Sequence, residues 1–281
     1  MEVRVAESAG FCFGVERAVS LVEHLLAEGK KPLYTYGPII HNDQVVGSFA
    51  ERGVRVLADL KEAAAVRPGT LVLRSHGVSR QEEEALKALG FELADATCPF
   101  VKKIHLLVQE AEEKGQTVFI IGDPNHPEVR ATAGWCRERP FIIGNETDIP
   151  LLDPQKRVFV VCQTTFHQNK FKKLVEIIIE RYYNAVVVNT ICHATQKRQQ
   201  ETQELAAQSD AMIVIGSSNS SNTAKLAQIC AASCAKTYYI QTLADLLQQD
   251  FHPVRYVGIT AGASTPKKII EEVQNFVRGE F

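Results

Sequence analysis

Asp95-Ala-Thr-Cys98-Pro-Phe-Val-Lys-Lys103 is the stretch from which the fold can be read. A single cysteine closes an apolar run and opens an amphipathic helix, with Pro99 at the first helical position, where its missing N–H costs nothing. The plan recurs in Asn189-Thr-Ile-Cys192-His-Ala-Thr-Gln-Lys197-Arg198 and, more loosely, in Ser8-Ala-Gly-Phe-Cys12-Phe-Gly-Val-Glu-Arg17. Each cysteine follows a short apolar run, precedes a helix and has a basic residue within about two turns.

The elements after each cysteine also recur. The helix after Cys12 sets Val15, Val19, Val22 and Leu26 on one face and stops at Gly29. The helix after Cys98 uses Val101, Ile104, Leu107, Val108 and Ala111 and stops at Gly115. The helix after Cys192 is more polar, with Leu205 and Ala206 its clearest apolar positions. A short strand ending at glycine follows: Leu33 to Gly37, Val118 to Gly122 and Met212 to Gly216. Cys12 and Gly37 are 25 residues apart, and Cys98–Gly122 and Cys192–Gly216 are 24 apart. A polar loop then opens a second helix at His41-Asn-Asp, His126-Pro-Glu and Ser220-Ser-Asn.

Two more apolar runs complete each copy, the second leading into Ser75-His76-Gly77, Gln163-Thr164-Thr165 and Ala263-Ser264-Thr265. A last helix and a strand return to the next cysteine, except in the third copy, where the sequence reaches Phe281 first. Val3-Arg-Val-Ala is a strand leading to Cys12 with nothing before it, so it is expected to complete the third copy. The expected fold is α/β: three pseudo-symmetric parallel-sheet units in a ring (trefoil) around a central iron–sulfur site. The units are residues 13–97, 98–191 and 192–281, the last completed by the N-terminal strand 1–12. One open doubly wound sheet is the alternative.

The chain has 281 residues, 45 % hydrophobic and 23 % charged, with a net charge of −2 and no long basic run. That balance argues against nucleic acid or an anionic membrane as partner, and no apolar stretch approaches the roughly 18 residues of a span. The start, Met1-Glu-Val-Arg-Val-Ala-Glu, has no basic leader with an apolar core, so a cytoplasmic location is expected. In a reducing compartment seven unclustered cysteines point to metal binding or catalysis before disulfides.

Ligands of parallel α/β units sit beyond the carboxyl ends of the strands. There lie the three cysteines, His41, Ser75-His76, His126 with Glu128, Gln163-Thr164, Ser220-Ser221-Asn222 and Ser264. Thiolates are favoured at helix N-termini, and one from each unit would suit a cubane iron–sulfur cluster with one iron open. A lone cysteine is by default a small buried hydrophobe, which is the reading for Cys136, Cys162, Cys230 and Cys234. His41, His76 and His126 with Glu128 would alternatively suit zinc. Beside helix N-termini, with Ser220, Ser221, Asn222, Thr164 and Ser264, they make a cage for phosphate oxygens. His24, His105 and His252 are read as satisfied loop residues. Glu128 is the carboxylate nearest a repeated loop histidine. Desolvation inside a closed site would raise its pKa and suit it to proton delivery; otherwise it is a first-turn glutamate complementing the helix dipole.

Nine segments together resemble the LytB/IspH family of 4-hydroxy-3-methylbut-2-enyl diphosphate reductases. They are Gly10 to Ala18, His41-Asn42, Ser75 to Gly77, Asp95 to Pro99, His126 to Val129, Gln163 to Thr165, Asn189 to Cys192 with Ala194-Thr195, Asn219 to Asn222 and Gly262 to Pro266. The resemblance implies three α/β units around a [4Fe–4S] cluster held by Cys12, Cys98 and Cys192, with one open iron. It implies substrate binding by His41, His76, His126, Thr164, Ser220, Ser221, Asn222 and Ser264, with Glu128 and Thr164 catalytic. The implied reaction is reductive dehydroxylation of that allylic diphosphate to isopentenyl and dimethylallyl diphosphate, fed by an electron donor protein such as ferredoxin or flavodoxin. The competing functions are an iron–sulfur dehydratase or condensing enzyme of the quinolinate synthase type, a non-enzymatic iron–sulfur sensor, and a zinc hydrolase.

Overall fold

The computed structural model describes residues 1–249, 251–252 and 254–279. The end of the expected third unit, at 281, lies outside the described residues. Strands β1 (Glu2–Val5), β2 (Leu33–Tyr36), β3 (Val54–Leu57), β4 (Thr70–Leu73), β5 (Glu92–Asp95) and β6 (Thr117–Ile121) come first along the chain. They are followed by β7 (Phe141–Ile143), β8 (Val158–Cys162), β9 (Ala185–Val187), β10 (Ala211–Ile215), β11 (Thr237–Ile240) and β12 (Tyr256–Ala261). These strands form three four-stranded sheets in the orders β3-β2-β4-β5, β7-β6-β8-β9 and β11-β10-β12-β1. Every pairing is parallel. The three orders are the same order: β1 takes, beside β12, the place that β5 takes beside β4 and β9 beside β8.

The chain forms two compact units. One comprises Met1–Glu16, Ile40–Ser48 and His193–Phe281; the other comprises Arg17–Ile39 and Phe49–Cys192. In the first, the period-two alternation of β10 sends Ile213 and Ile215 to one face of the sheet, against Ile269, Ile270, Val273 and Val277 of the helix Lys267–Gly279. Met212 and Val214 go to the other face, against Ala206, Leu226 and Cys230. Both faces are covered, which is why the strand reads as an unbroken apolar run.

The second unit repeats this on its own sheets. Phe119 and Ile121 of β6 meet Phe171, Leu174 and Ile178 of the helix Gln168–Arg181, while Val118 and Ile120 meet Ile104, Val108 and Ala111 of the helix Pro99–Glu113. Tyr34, Tyr36, Leu71 and Leu73 pack with Leu86 beneath the helix Arg80–Ala88. Each fully buried side chain of this size contributes roughly 1.5–3 kcal/mol over exposure. Cys162, Cys230 and Cys234 lie in these cores as expected. Cys136 is half-buried, and its thiol is pushed up to about 12 by burial, then by Glu112.

Three expectations need correction. The helix Phe13–Ala27 buries Ala18, Val22 and Leu25, whereas Val15, Val19 and Leu26 are only half-buried. The buried face therefore runs through Ala18, Val22 and Leu25, turned away from the Val15–Leu26 face. The helix after Cys192, His193–Ala207, buries Thr195, Arg198, Gln199, Thr202 and Ala206 but not Leu205. His24 and His105 are helical, and His105 is buried with its ring stacked on Trp135 at 5.1 Å. No helix of the described residues is long and apolar enough to cross a membrane.

Candidate active site

Each repeated cysteine stands immediately before a 15-residue helix: Phe13–Ala27, Pro99–Glu113 and His193–Ala207. All three cysteines are half-buried. One backbone bond is common to them. Cys12 N–H donates to Ala263 O at 3.3 Å, Cys98 N–H to Ser75 O at 2.9 Å and Cys192 N–H to Thr164 O at 3.1 Å. The acceptors occupy one repeat position, because the residue before each begins the turn that Thr265, Gly77 and Phe166 close by donating to Gly262 O, Arg74 O and Gln163 O. Every cysteine is thus tied to the loop beyond the strand next to its own.

The second helix of each copy is capped by a side chain of its opening loop, which in two copies is a residue of the expected site, His126 or Ser220. Asn42 Oδ1 accepts from Val45 N–H at 3.0 Å, His126 Nδ1 from Glu128 N–H at 3.2 Å and Ser220 Oγ from Thr223 N–H at 3.3 Å. These bonds satisfy helix-start donors that would otherwise go unpaired. Two residues beyond the caps lie Gln44, Glu128 and Asn222, of which Gln44 is exposed while Glu128 and Asn222 are buried.

In the larger unit, His76 and His126 meet edge to face, with ring centroids 5.4 Å apart. Glu128 is 2 % exposed. Its carboxylate accepts from Thr164 N–H at 2.6 Å and from the Thr164 hydroxyl at 2.5 Å. Since Thr164 O also takes the Cys192 N–H, one threonine joins the buried acid to a cysteine. Gln163 braces the arrangement: its Oε1 accepts from Asp123 N–H at 3.0 Å and its Nε2 donates to Thr165 Oγ1 at 2.9 Å.

In the other unit, Ser264 Oγ donates to His41 O at 2.9 Å, next to the Ala263 carbonyl that holds Cys12. The Gly216–Asn222 loop is tied down, with Asn219 N–H donating to Ser217 Oγ, Ser220 N–H to Ser217 O and the Tyr239 hydroxyl to Ser217 O. Asn222 is 5 % exposed, and its Nδ2 is buried with no hydrogen-bond partner. Lys225 Nζ reaches Ser221 Oγ at 2.5 Å. Close packing fixes the neighbouring loops: a Cβ at Gly262 would lie 2.0 Å from Thr223 Oγ1.

Within their own units, then, Cys98, His76, His126, Glu128, Thr164 and Cys192 belong to one set of joined loops, as do Cys12, His41, Ser220, Ser221, Asn222 and Ser264. A scan against known families finds the LytB protein family over residues 3–278. The chain belongs to the LytB family. A 4-hydroxy-3-methylbut-2-enyl diphosphate reductase of Caldanaerobacter subterraneus is 41 % identical over 274 residues, covering 97 % of this chain and 95 % of its own. The enzyme of that name from Trichlorobacter lovleyi is 43 % identical over 275 residues, covering 98 % and 97 %. Among solved structures, the E-1-hydroxy-2-methyl-but-2-enyl-4-diphosphate reductase of Plasmodium falciparum matches with a TM-score of 0.92 at 31 % identity, over 98 % of this chain and 87 % of its own.

The motif-by-motif reading marked Arg17 and Arg198 only as basic residues recurring after cysteines and passed over Glu201 and Arg74, all of which support this LytB site without belonging to its loops. Arg198, Glu201 and Arg17 hold the segments that lead into cysteines. Arg74 donates to Gly77 O at 3.3 Å beneath His76. A charged residue on the buried face of a helix is the signal that could have found Arg198.

Proposed function

We propose that this chain removes the allylic hydroxyl of 4-hydroxy-3-methylbut-2-enyl diphosphate as water, giving isopentenyl and dimethylallyl diphosphate, the last step of the non-mevalonate isoprenoid pathway. Two electrons and two protons balance the reaction. The observation that carries it is the Glu128–Thr164 pair, a buried acid joined by two hydrogen bonds to a threonine. The reductase name borne by full-length relatives disfavours a dehydratase, a condensing enzyme or a sensor.

The chain's residues suit the cofactor and substrate that this reading requires. Three half-buried thiols at equivalent helix starts are a donor set for a [4Fe–4S] cluster with Cys12, Cys98 and Cys192 as ligands, leaving one iron open. When bound, the cluster supplies electrons and a Lewis-acidic iron. The unpartnered Asn222 Nδ2 has the chemistry to donate to a phosphate oxygen, with Ser220 and Ser221 beside it. His41, His76 and His126 complete the diphosphate grip. Ser264 joins it by turning its hydroxyl away from His41 O.

The proton path uses this chain's own groups. Thr164 gives its hydroxyl proton to the departing oxygen and takes one from protonated Glu128. Burial of Glu128, His126 and Thr164 keeps bulk water from competing for that proton. The electrons come from a protein donor of the ferredoxin or flavodoxin class, and the chain acts in the cytoplasm.

Anaerobic purification with iron and sulfide analysis, then turnover of the allylic diphosphate by the chemically reduced protein, tests the reading. Glu128→Gln binds substrate and loses turnover by about 10²-fold or more, the usual scale for a positioned acid. Undiminished turnover in that variant removes Glu128 from the reaction.

A further inference from the structure

The helix His193–Ala207 buries a polar face, and the segment just before Cys12 explains why. Arg198 is 3 % exposed. Its guanidinium donates to Gly10 O at 2.8 Å and to Ala261 O at 2.5 Å. Gly10 lies two residues before Cys12, and Ala261 two before the Ala263 carbonyl that holds the Cys12 N–H. One planar cation therefore bridges the two segments between which Cys12 sits, a geometry that a fork of donors suits and a point charge does not.

Three residues on, Glu201 takes the opposite polarity of the same segment. Its carboxylate accepts from Ser8 N–H at 3.0 Å, from Glu7 N–H at 2.5 Å and from the Ser8 hydroxyl. Arg198 and Glu201 lie three residues apart, on one helical face. The cation takes a carbonyl and the anion takes two amides, so residues 7–10 are held at both ends. The backbone at Gly10 has φ +104, where an L side chain would be strained and its Cβ would press on Ile270 Cδ1 at 3.3 Å.

The same device recurs on the helix after Cys12, Phe13–Ala27. Arg17, five residues after Cys12, donates to Asp95 O at 3.0 Å and to Thr97 O at 3.1 Å, and Thr97 immediately precedes Cys98. We propose that Arg198 with Glu201, and Arg17, are positioning residues: the helix begun by Cys192 holds the Cys12 segment, and the helix begun by Cys12 holds the Cys98 segment. Two of the three proposed ligands, Cys12 and Cys98, are thus aimed by charged residues from the helix that another ligand begins. Loss of one brace then loosens one sulfur and not the other two. This inference rests on the proposed ligation by Cys12, Cys98 and Cys192.

The test uses the full-length, cluster-containing protein under anaerobic conditions. Iron is withdrawn with a chelator while an alkylating reagent traps each cysteine as it is released, and the sites are counted by mass spectrometry. The Arg198→Lys and Glu201→Gln variants release Cys12 about tenfold faster than the unaltered protein, the scale of one lost charge-assisted hydrogen bond. Cys98 and Cys192 keep their rates. Arg17→Lys speeds Cys98 alone. Thermal melts run alongside, because a merely structural arginine lowers the Tm and releases all three cysteines together. That parallel release, or an unchanged order in all variants, overturns the proposal. If Arg198→Lys does not fold, Glu201→Gln and Arg17→Lys still decide it, each acting on a different cysteine. An unaltered protein that binds no iron and sulfide refutes the ligation itself, a separate outcome seen before any variant is made.

Discussion

Lowering the pH from about 7 to about 4 should destabilise this protein through one imidazole. His105 is buried and stacked on Trp135, with ring planes 15° apart. It sits so close beneath Gly77 that a Cβ there would lie 2.8 Å from its Cε1. Its Nε2 is buried without a hydrogen-bond partner. Burial pushes its pKa down to about 4, with Asp95 opposing that and Lys102 adding to it. The unfolded chain binds a proton near the ordinary 6.5 and the folded chain does not until about 4. The stability contributed by the neutral ring is therefore whole above 6.5 and is lost as the pH falls through that window. The gap is worth roughly 3 kcal/mol, at about 1.4 kcal/mol for each pKa unit. The sequence holds one tryptophan, so urea unfolding followed by fluorescence watches Trp135 itself. Comparing pH slopes, not absolute stabilities, between the unaltered chain and His105→Gln cancels the other titrating groups and the lost ring contact. The unaltered chain should lose stability more steeply, by about 1 kcal/mol per pH unit near pH 5. Equal slopes would show that His105 is protonated as readily in the folded state as in the unfolded one, and the burial argument would fail.

Three further outcomes follow from the loops. Asn222→Ala should weaken inorganic pyrophosphate binding by calorimetry while leaving the melting temperature unchanged or slightly raised, because it removes an unsatisfied buried donor, a group costing about 1–3 kcal/mol. Gly262→Ala should destabilise by about 2 kcal/mol or more in denaturant titrations, since its new methyl collides with Thr223 Oγ1, and adding Thr223→Ala should restore part of that loss. Thr164→Val should lower turnover by about 10²-fold, with Thr164→Ser recovering most of it, because the hydroxyl that meets Glu128 is what the valine lacks.

The strands were legible because a parallel sheet covered on both faces writes itself as an apolar run, and Val158–Cys162 and Ala211–Ile215 are buried at every position. The place of β1 was legible from a missing element in the third copy. The helix after Cys192 was not. Its buried face carries Thr195, Arg198, Gln199 and Thr202, chosen to satisfy carbonyls and hydroxyls such as Thr260 Oγ1, so apolar periodicity had nothing to report. Each copy also contains a short helix that periodicity overlooked, at Leu60–Ala64, Glu146–Asp148 and Leu243–Leu247. A different signal marks them. Asp59 with Glu62, Asn145 with Asp148 and Thr242 with Asp245 put a capping side chain three residues before an acid. Glu128 was found from its neighbour His126, but its bond to Thr164 joins residues 36 apart, and no local pattern encodes that.

The repeat and the chemistry part company at one position. Two residues past the cap of the second helix, the first copy has exposed Gln44, the second buried Glu128 and the third buried Asn222. Each is the second residue of a helix whose start is capped by the side chain two residues before it. What differs is whether the head group can give up a proton. A carboxyl can deliver one and be recharged, whereas an amide can only donate a hydrogen bond. Placed where Thr164 meets it, the carboxyl has the chemistry for the proton delivery proposed above; where none of the described residues meets it, the amide Nδ2 is left with a donor suited to an anion. A triplicated frame supplies three equivalent cysteines at no further design cost, since the bond from the cysteine N–H to the loop carbonyl needs no particular side chain. Specific side chains are needed only where the three copies must do different things. Gln44, Glu128 and Asn222 share one position in the repeat and differ in this capacity. Exchanging Glu128 for Asn should therefore leave the fold intact and abolish proton delivery, because Asn222 shows that the frame accepts the amide.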